Sequence, residues 1–413
     1  MSAGRRRRSS SPDGFSLRSI AVAAFGPSLL FGLGEGAILP IIPLTARELG
    51  ASIPMAAMII ALIGIGSLVN NIPASAITMR FGERRAMVAA GLWSAAGMAL
   101  CLWTHRLLLL ALGCLMVGMS QAVYNLARQS YMSDAVPPQY RARALSALGG
   151  VMRIGMFAGP FLAAGAVHIF GLQAAYVVGL VAVLAAAALG FRIPDLPLPP
   201  APAGQAEPAR TTVMSTLRDH RRVFLTLGVA VLLVSAVRAS RQAVIPLWAD
   251  HLALAPSVAS LIYGMSGGID MLVFYPAGKV MDQYGRRWVA VPSMLIMGLA
   301  LLAMPLTTGA TALLLVSMAI GFGNGIGSGM IMTLGADHSP RHGRPHFLGV
   351  WRLMSDIGSS GGPALLSLLA GGLSLAAGIA VTGLISLAAA AALGRWIPRR
   401  RSVPGPEAVA SEA

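Results

Sequence analysis

Charge is scarce in this 413-residue chain: 11% of its residues are charged, against 56% hydrophobic. A soluble globular protein carries about 25% charged residues, so a water-soluble enzyme of this length is excluded and the bulk of the chain belongs in lipid. Lysine occurs once, as Lys279, and 15 acidic residues face 31 basic ones, giving a net charge of +16. That balance superficially suits a nucleic-acid binder. The arginines, however, stand in short clusters between long apolar runs, the pattern of the positive-inside rule, and nucleic acid is not an expected partner. Cysteine is nearly absent: Cys101 and Cys114 both lie inside apolar runs and can build neither a disulfide framework nor a metal site. His338, His342 and His346, at four-residue steps in an Arg-rich stretch, read as a solvated loop, and neither a metal nor a cofactor is expected. There is no GxxxxGK[ST] loop to support ATP drive. Gly264-Met-Ser266-Gly-Gly268 fits GxSxG formally, but it sits inside an apolar run and lacks the strand-turn-helix setting of a nucleophile elbow. The chain is not expected to be an enzyme.

What is present is apolar length. A transmembrane helix needs about 20 mostly apolar residues, and runs of that kind fall near 18–45, 54–79, 86–103, 107–131, 144–167 and 174–191. Six more follow near 223–248, 256–278, 288–307, 310–334, 347–371 and 374–394. Arg5–Arg8 before the first run resemble the start of a signal peptide, but the run is too long and is read as a retained span. Between the two groups lies PDLPLPPAPAGQAEPAR, too rich in proline for helix interior. The expectation is an all-α integral membrane protein of twelve transmembrane helices. Its parts are a basic cytoplasmic N-tail (1–17), a six-helix bundle (18–191), a cytoplasmic Pro/Arg-rich linker (192–221), a second bundle (222–394) and a cytoplasmic C-tail (395–413). Twenty-four basic residues then fall on the side of the termini and linker, and only Arg47 and Arg106 on the other. This orients both termini to the cytoplasm of a bacterial inner membrane.

The two bundles are copies. At an offset of 203 residues Pro43 matches Pro246, Pro73 Pro276, Gly82 Gly285, Arg84 Arg287, Gly118 Gly321 and Asp134 Asp337. Arg141 matches Arg344, Gly155 Gly358, Gly159 Gly362 and Pro160 Pro363, with no gap. An even number of spans per copy leaves both in the same orientation, a parallel repeat found in many transporters.

Gly278-Lys-Val-Met-Asp282-Gln-Tyr-Gly285-Arg286-Arg287 closely matches the G-x-x-x-D-R-x-G-R-R/K signature that joins helices two and three of each half in the major facilitator superfamily. The chain resembles that superfamily over nearly its whole length. The first copy departs from the signature: Ser75, Met79 and Glu83 replace its glycine, aspartate and an arginine, leaving Arg80, Gly82 and Arg84. The resemblance implies a cytoplasmic gating latch of Asp282, Arg286 and Asp337, with Asp134, Gly278 and Gly285 beside it; loop arginines kept inside by topology are the alternative. Gly155, Gly159 and Pro160 on helix five resemble the antiporter motif of 12-helix drug:proton exporters, although small-xxx-small spacing also serves ordinary tight packing. Gly321, Gly325 and Gly329 are read as packing only.

Eight charges fall within or at the edges of the apolar runs: Arg128, Arg153, Arg238, Arg241 and Arg352, and Glu35, Asp270 and Asp356. A central charge costs about 2.5–3.5 kcal/mol, so such residues face a cavity or a partner. Arg128 reads as a helix-end residue. Glu35 stands near mid-membrane, where desolvation and a neighbouring arginine pull on a carboxyl in opposite senses, as a proton carrier requires. Asp270 is the next proton candidate. Asp356 shares a helix face with Arg352 and fits a structural pair more than a proton site, while Arg153 and Asp356 are repeat mates of opposite sign; Arg153 and Arg352 are expected in intramembrane charge pairs. The resemblance assigns the cavity to helices one, four, seven and ten, which makes Gln121, Asn125, Arg238, Arg241 and Asn324 the substrate-binding candidates. The implied function is secondary transport by alternating access, with proton-coupled efflux of a small amphipathic drug or metabolite by a monomer as the first reading. The alternatives are an importer or facilitator of a small organic anion using Arg238 and Arg241 and, from another class, a membrane-embedded enzyme.

Overall fold

The computed structural model describes residues 17–103, 106–136, 141–193, 213–340 and 344–397. The expected N-tail, most of the linker, the C-tail beyond 397, and the side chains of Asp134 and Asp282 lie outside the described residues. Among the described residues the first bundle comprises α1 (Leu17–Ile38, continued by a short helix Ile42–Glu48), α2 (Ile53–Phe81), α3 (Glu83–Leu102), α4 (Leu107–Ala135), α5 (Arg141–Phe170) and α6 (Ala174–Gly190). The second comprises α7 (Val229–His251), α8 (Pro256–Tyr284), α9 (Arg287–Ala303), α10 (Ala310–Ile326, continued by Met330–His338), α11 (Arg344–Gly372) and α12 (Leu375–Trp396). Ten of these segments are long and apolar enough to cross a membrane. The other two are α6, with 17 very apolar residues, and α11, which carries Arg352 and Asp356 and packs against α2 and α7. Helix is the form dictated by lipid, where every backbone N–H and C=O has to be bonded within its own segment.

Three local features differ from the sequence expectation. The end of the linker is helical at Val213–Asp219, where Thr216 is buried against α11. The first span breaks at residues 39–41, because Pro43 cannot donate to the preceding turn and instead opens a new one. The tenth span breaks at 327–329. A side chain added at Gly329 would meet nothing within 4 Å; the residue turns the chain in the left-handed conformation (φ 78°) that glycine adopts freely.

The duplication is reproduced contact by contact. A side chain on Gly155 of α5 would strike the carbonyl oxygen of Leu29 on α1, and one on its mate Gly358 would strike that of Leu232, 203 residues on. Gly159 and Gly362 meet the carbonyls of Leu33 and Ala236, and Gly118 and Gly321 those of Ile63 and Ser266, again repeat mates. The crossing of α3 with α4 is tied by Ser120 Oγ donating to the Ala90 carbonyl (2.6 Å), and that of α9 with α10 by Ser293 Oγ donating to the Gly323 carbonyl (2.6 Å). The same junction is thus bonded with the donor moved to the other helix. Between helices in lipid, where apolar burial supplies no driving force, such close backbone approach and hydrogen bonding hold the bundle.

The two bundles close on each other at the end remote from Leu17 and Trp396. There Arg47 Nε pairs with Asp250 Oδ2 at 3.0 Å, Ser367 Oγ donates to the Pro54 carbonyl at 2.6 Å, and Phe157 and Phe161 of α5 pack against Gly268 and Gly264 of α8. Nearer the other end, Asn71 of α2 donates to Asp356 of α11 at 2.6 Å.

Two expected outcomes follow from these contacts. Gly155→Val and Gly358→Val each overpack a helix crossing at a cost of about 1–3 kcal/mol, and thermal unfolding in detergent should show both melting several degrees lower. Gly278→Ala, whose added carbon meets nothing within 4 Å, should melt as the parent does. The Arg47–Asp250 pair is about one-third exposed on each side, so it contributes about 1 kcal/mol or less, which still shifts a balanced two-state equilibrium several-fold. With Cys101 and Cys114 both buried, a Ser67→Cys reporter in the cavity wall should react faster with an impermeant thiol reagent added at the closed face when Arg47→Asp is introduced. Adding Asp250→Arg should restore the slow rate.

Candidate transport site

A cavity of about 450 Å³ lies between the bundles, lined from α1, α2, α4, α5, α7, α10 and α11. Ile38, Leu39, Ile60 and Pro363 form its apolar end toward the closed face, while Asn125, Ile331 and Arg352 carry it toward the terminal end. Glu35, Gln121, Asn125, Arg238, Arg241 and Asn324 all line it, as do Arg352 and Asp356. The sequence did not single out Ser67, Ser235, Gln242 and Ser355 of the same wall. A larger cleft of about 820 Å³ at the rim of the second bundle, lined by Arg286, Trp288 and Asp337 among others, is separate from this converging set.

On the first bundle's wall the placement of Glu35 follows from the glycines around it. Gly32 and Gly36 of α1 pass directly over the backbone of Met152 and Met156 on α5, which turns Glu35 away from α5. Phe31, one turn earlier, stacks on Tyr124 of α4 at 3.8 Å and 3°. Glu35 is 2% exposed, and neither carboxyl oxygen completes a hydrogen bond. Gln121 and Arg128 of α4 are the polar groups that interact with it. Arg128 is not a solvated helix-end residue: it is buried, with Nε and Nη1 unbonded, facing Tyr124 and Glu35. Its distance from the helix end suggested water; the three-dimensional path of α4 puts it inside the bundle.

The opposite wall is a cationic network around Asp270. Asn324 Nδ2 donates to Asp270 Oδ2 at 2.6 Å, Arg241 Nη2 lies 3.5 Å from the same oxygen, and Arg153 Nη1 reaches Oδ1 at 3.8 Å from the other bundle. Arg153 also lies over the Phe274 ring at 4.5 Å. The break in α10 serves this network, because Arg238 Nη2 donates to the Asn324 carbonyl at 3.2 Å, a group that the helix no longer bonds. Gly325 packs against the Asp270 backbone and Gly327 against the Arg238 guanidinium, so the packing role read for Gly321 and Gly325 holds, while Gly329 is a turn. Two guanidinium groups share one carboxylate, a third, Arg238, is held beside them on the Asn324 carbonyl, and Arg238 Nε and Arg241 Nη1 remain buried without a partner.

Arg352 and Asp356 form the same-face pair expected of them, at 3.8 Å. Asp356 also accepts from Asn71, a polar residue whose place inside an apolar run is the sequence signal for such a partner. Arg153 and Arg352 do not pair with each other; each meets a different acid. In the signature region Arg286 binds Asp337 with two bonds, 2.8 and 3.3 Å, tying the α8–α9 junction to the end of α10 within one bundle. In the first copy Arg84 Nη1 donates to the Ile193 carbonyl at 3.2 Å, Glu83 accepts from Ser130 at 3.1 Å, and Arg80 lies over Phe81. Gly82 and Gly285 both hold positive φ, 81° and 98°, at the tight turns they make. Gly155 and Gly159 sit in the α1–α5 crossing, and Pro160 touches Gly264 across the bundles.

The profile described as Major Facilitator Superfamily matches residues 25–239 and again residues 227–412. An uncharacterized MFS-type transporter, YhjO, of Bacillus subtilis (strain 168) is 25% identical over 365 residues, 87% of this chain and 84% of its own. Multidrug resistance protein MdtH of Shigella boydii serotype 4 (strain Sb227) is 25% identical over 287 residues, 69% of this chain and 70% of its own. Among solved structures, a bacterial homolog of the human lysosomal transporter Spinster, inward-facing and unoccupied, superposes with a TM-score of 0.75 at 13% identity, covering 92% of this chain and 96% of that one. A D-xylose-proton symporter gives 0.68 at 15% identity, covering 93% and 98%. Two six-helix repeats around a polar central cavity, matched over both halves by one profile, place this chain in the major facilitator superfamily: it is a multi-pass membrane transporter of small molecules and not an enzyme.

Proposed function

We propose that the protein is a proton-coupled exporter of a small amphipathic compound, working by alternating access as a monomer in the cytoplasmic membrane with both termini inside. With that orientation, the closed face with Arg47–Asp250 is external, and the conformation described above faces inward. The observation that carries the reading is Glu35: a carboxyl on the cavity wall, buried, with both oxygens unbonded and a guanidinium as its charged neighbour. Such a group can hold or release a proton as its surroundings change between the two faces. Asp270, bonded by Asn324 and shared by Arg153 and Arg241, serves as a fixed counter-ion, and Asp356, tied to Asn71 and Arg352, as a joint between the bundles. The similarity to a multidrug resistance protein supports export. The Gly155-Gly159-Pro160 element supports it less, because Gly358 and Gly362 make the same contacts in the other half. One charge crossing about 100 mV supplies about 2.3 kcal/mol, enough for a gradient of roughly fifty-fold. The second reading, a carrier of a small organic anion, is favoured by the unbonded Arg238 Nε and Arg241 Nη1.

Proteoliposomes loaded with a pH dye and challenged with a panel of amphipathic compounds test the first reading. Wild-type protein should move protons against a transported compound. Glu35→Gln should abolish that movement while exchange of labelled for unlabelled compound continues. If Glu35→Gln keeps full gradient-driven transport, Glu35 does not couple protons and the proposal fails.

A further inference from the structure

The two walls of the cavity are chemically opposite at equivalent positions. Glu35 on α1 and Arg238 on α7 are repeat mates, 203 residues apart, so the pseudo-symmetry of the bundles sets a carboxylate and a guanidinium at matching places on facing walls. Among the residues that line the cavity itself, the buried polar atoms without partners divide the same way: the acceptors Glu35 Oε1, Glu35 Oε2 and Asn125 Oδ1 on the first bundle's wall, and the donors Arg238 Nε and Arg241 Nη1 on the second, while behind the lining Arg128 Nε and Nη1 and Asp270 Oδ1 are also unbonded. Buried polar groups in native proteins find partners, and one wall here asks for a donor while the other asks for an acceptor.

Charge sharpens the distinction. Arg153, Arg238 and Arg241 gather on one carboxylate, Asp270, so that pole carries a surplus of positive charge and suits an anionic group. At the other pole Glu35 is faced by Arg128, Tyr124 and Gln121 of α4. With Glu35 ionised that pole is neutral, and the carboxylate, with the Gln121 amide beside it, has room to accept from a ligand. With Glu35 protonated it carries the net charge of Arg128 and repels a cation. Competition with a proton therefore requires a cationic group at Glu35, whereas an anion alone would bind better beside protonated Glu35 and would travel with the proton instead of against it.

We infer that the substrate is a zwitterion, its carboxylate or similar anion docked on Arg238 and Arg241 and its protonated amine on Glu35. The inference rests on the export reading above. A cavity of about 450 Å³ holds a small molecule of the usual ligand size. Spanning it ties one wall to the other, so the substrate draws the bundles together from the open side.

The test is binding, with no gradient present. Purified full-length protein in detergent is titrated with aromatic and aliphatic amino acids, each beside its N-acetyl derivative, which keeps only the anion, and its methyl ester, which keeps only the cation. Thermal stabilisation is the readout. At least one parent compound should bind about tenfold or more tighter than both derivatives, the effect of a charge-assisted hydrogen bond. Glu35→Gln should erase the advantage over the N-acetyl form and keep that over the ester. Arg241→Gln, which leaves Asp270 paired with Arg153 and bonded by Asn324, should do the reverse. Derivatives binding as tightly as their parents, or no stabilisation by any parent, overturns the inference. If the zwitterion pattern holds while Glu35→Gln still moves protons, the export mechanism fails and the substrate class stands. If proton coupling holds without the pattern, the substrate class fails and the mechanism stands.

Discussion

A guanidinium or carboxylate at membrane depth costs several kcal/mol unless an opposite charge, a hydrogen-bonding group or a wet cavity meets it, and the two bundles meet that cost differently. The second bundle builds a network: Asp270 collects Arg241, Asn324 and, from the other bundle, Arg153, and α10 breaks its own ladder to give Arg238 a carbonyl. The first bundle leaves Glu35 and Arg128 facing each other without a bond. Asp270 is fixed in place by the bonds it accepts, whereas Glu35 accepts none and responds to whatever enters. The asymmetry between the walls is therefore one between scaffold and switch.

That asymmetry is carried on a symmetric frame. The glycine contacts Gly155–Leu29 and Gly358–Leu232 coincide under the repeat, as do Gly118–Ile63 and Gly321–Ser266. Backbone approach of this closeness admits no side chain, so the two copies have kept these glycines and changed the charges instead. Glu35 pairs with Arg238, Arg47 with Asp250, Glu83 with Arg286 and Arg153 with Asp356, each with opposite sign. One of these mate pairs, Arg47 with Asp250, is also a direct ion pair across the closed face. Sign reversal between copies lets a duplicated surface attract itself, since two identical charges brought face to face would repel.

Much of the fold was legible from composition and periodicity. Twelve apolar runs, a proline-dense break and an ungapped offset of 203 residues suffice for two parallel bundles, because in lipid helix is the available form. The breaks inside the first and tenth spans were not legible. Pro43 and Gly329 permit them, but a proline or glycine in a membrane helix is tolerated when neighbours re-satisfy the freed groups, and Arg238, 86 residues before Asn324, is such a neighbour. Arg128 looked solvated by its place near a helix end and is buried by the path of the bundle around it.

The sequence by itself determined the solvent of this protein, its internal repeat, its superfamily and the identity of eight charges at membrane depth. Only the tertiary structure decided which of those charges meet. Arg153 reaches Asp270 from the other bundle, Asn71 reaches Asp356 across 285 residues, and Glu35 stays unbonded. The reason is geometric: hydropathy is a sum over a segment and needs no partner, whereas a charge pair depends on which faces of two distant helices converge.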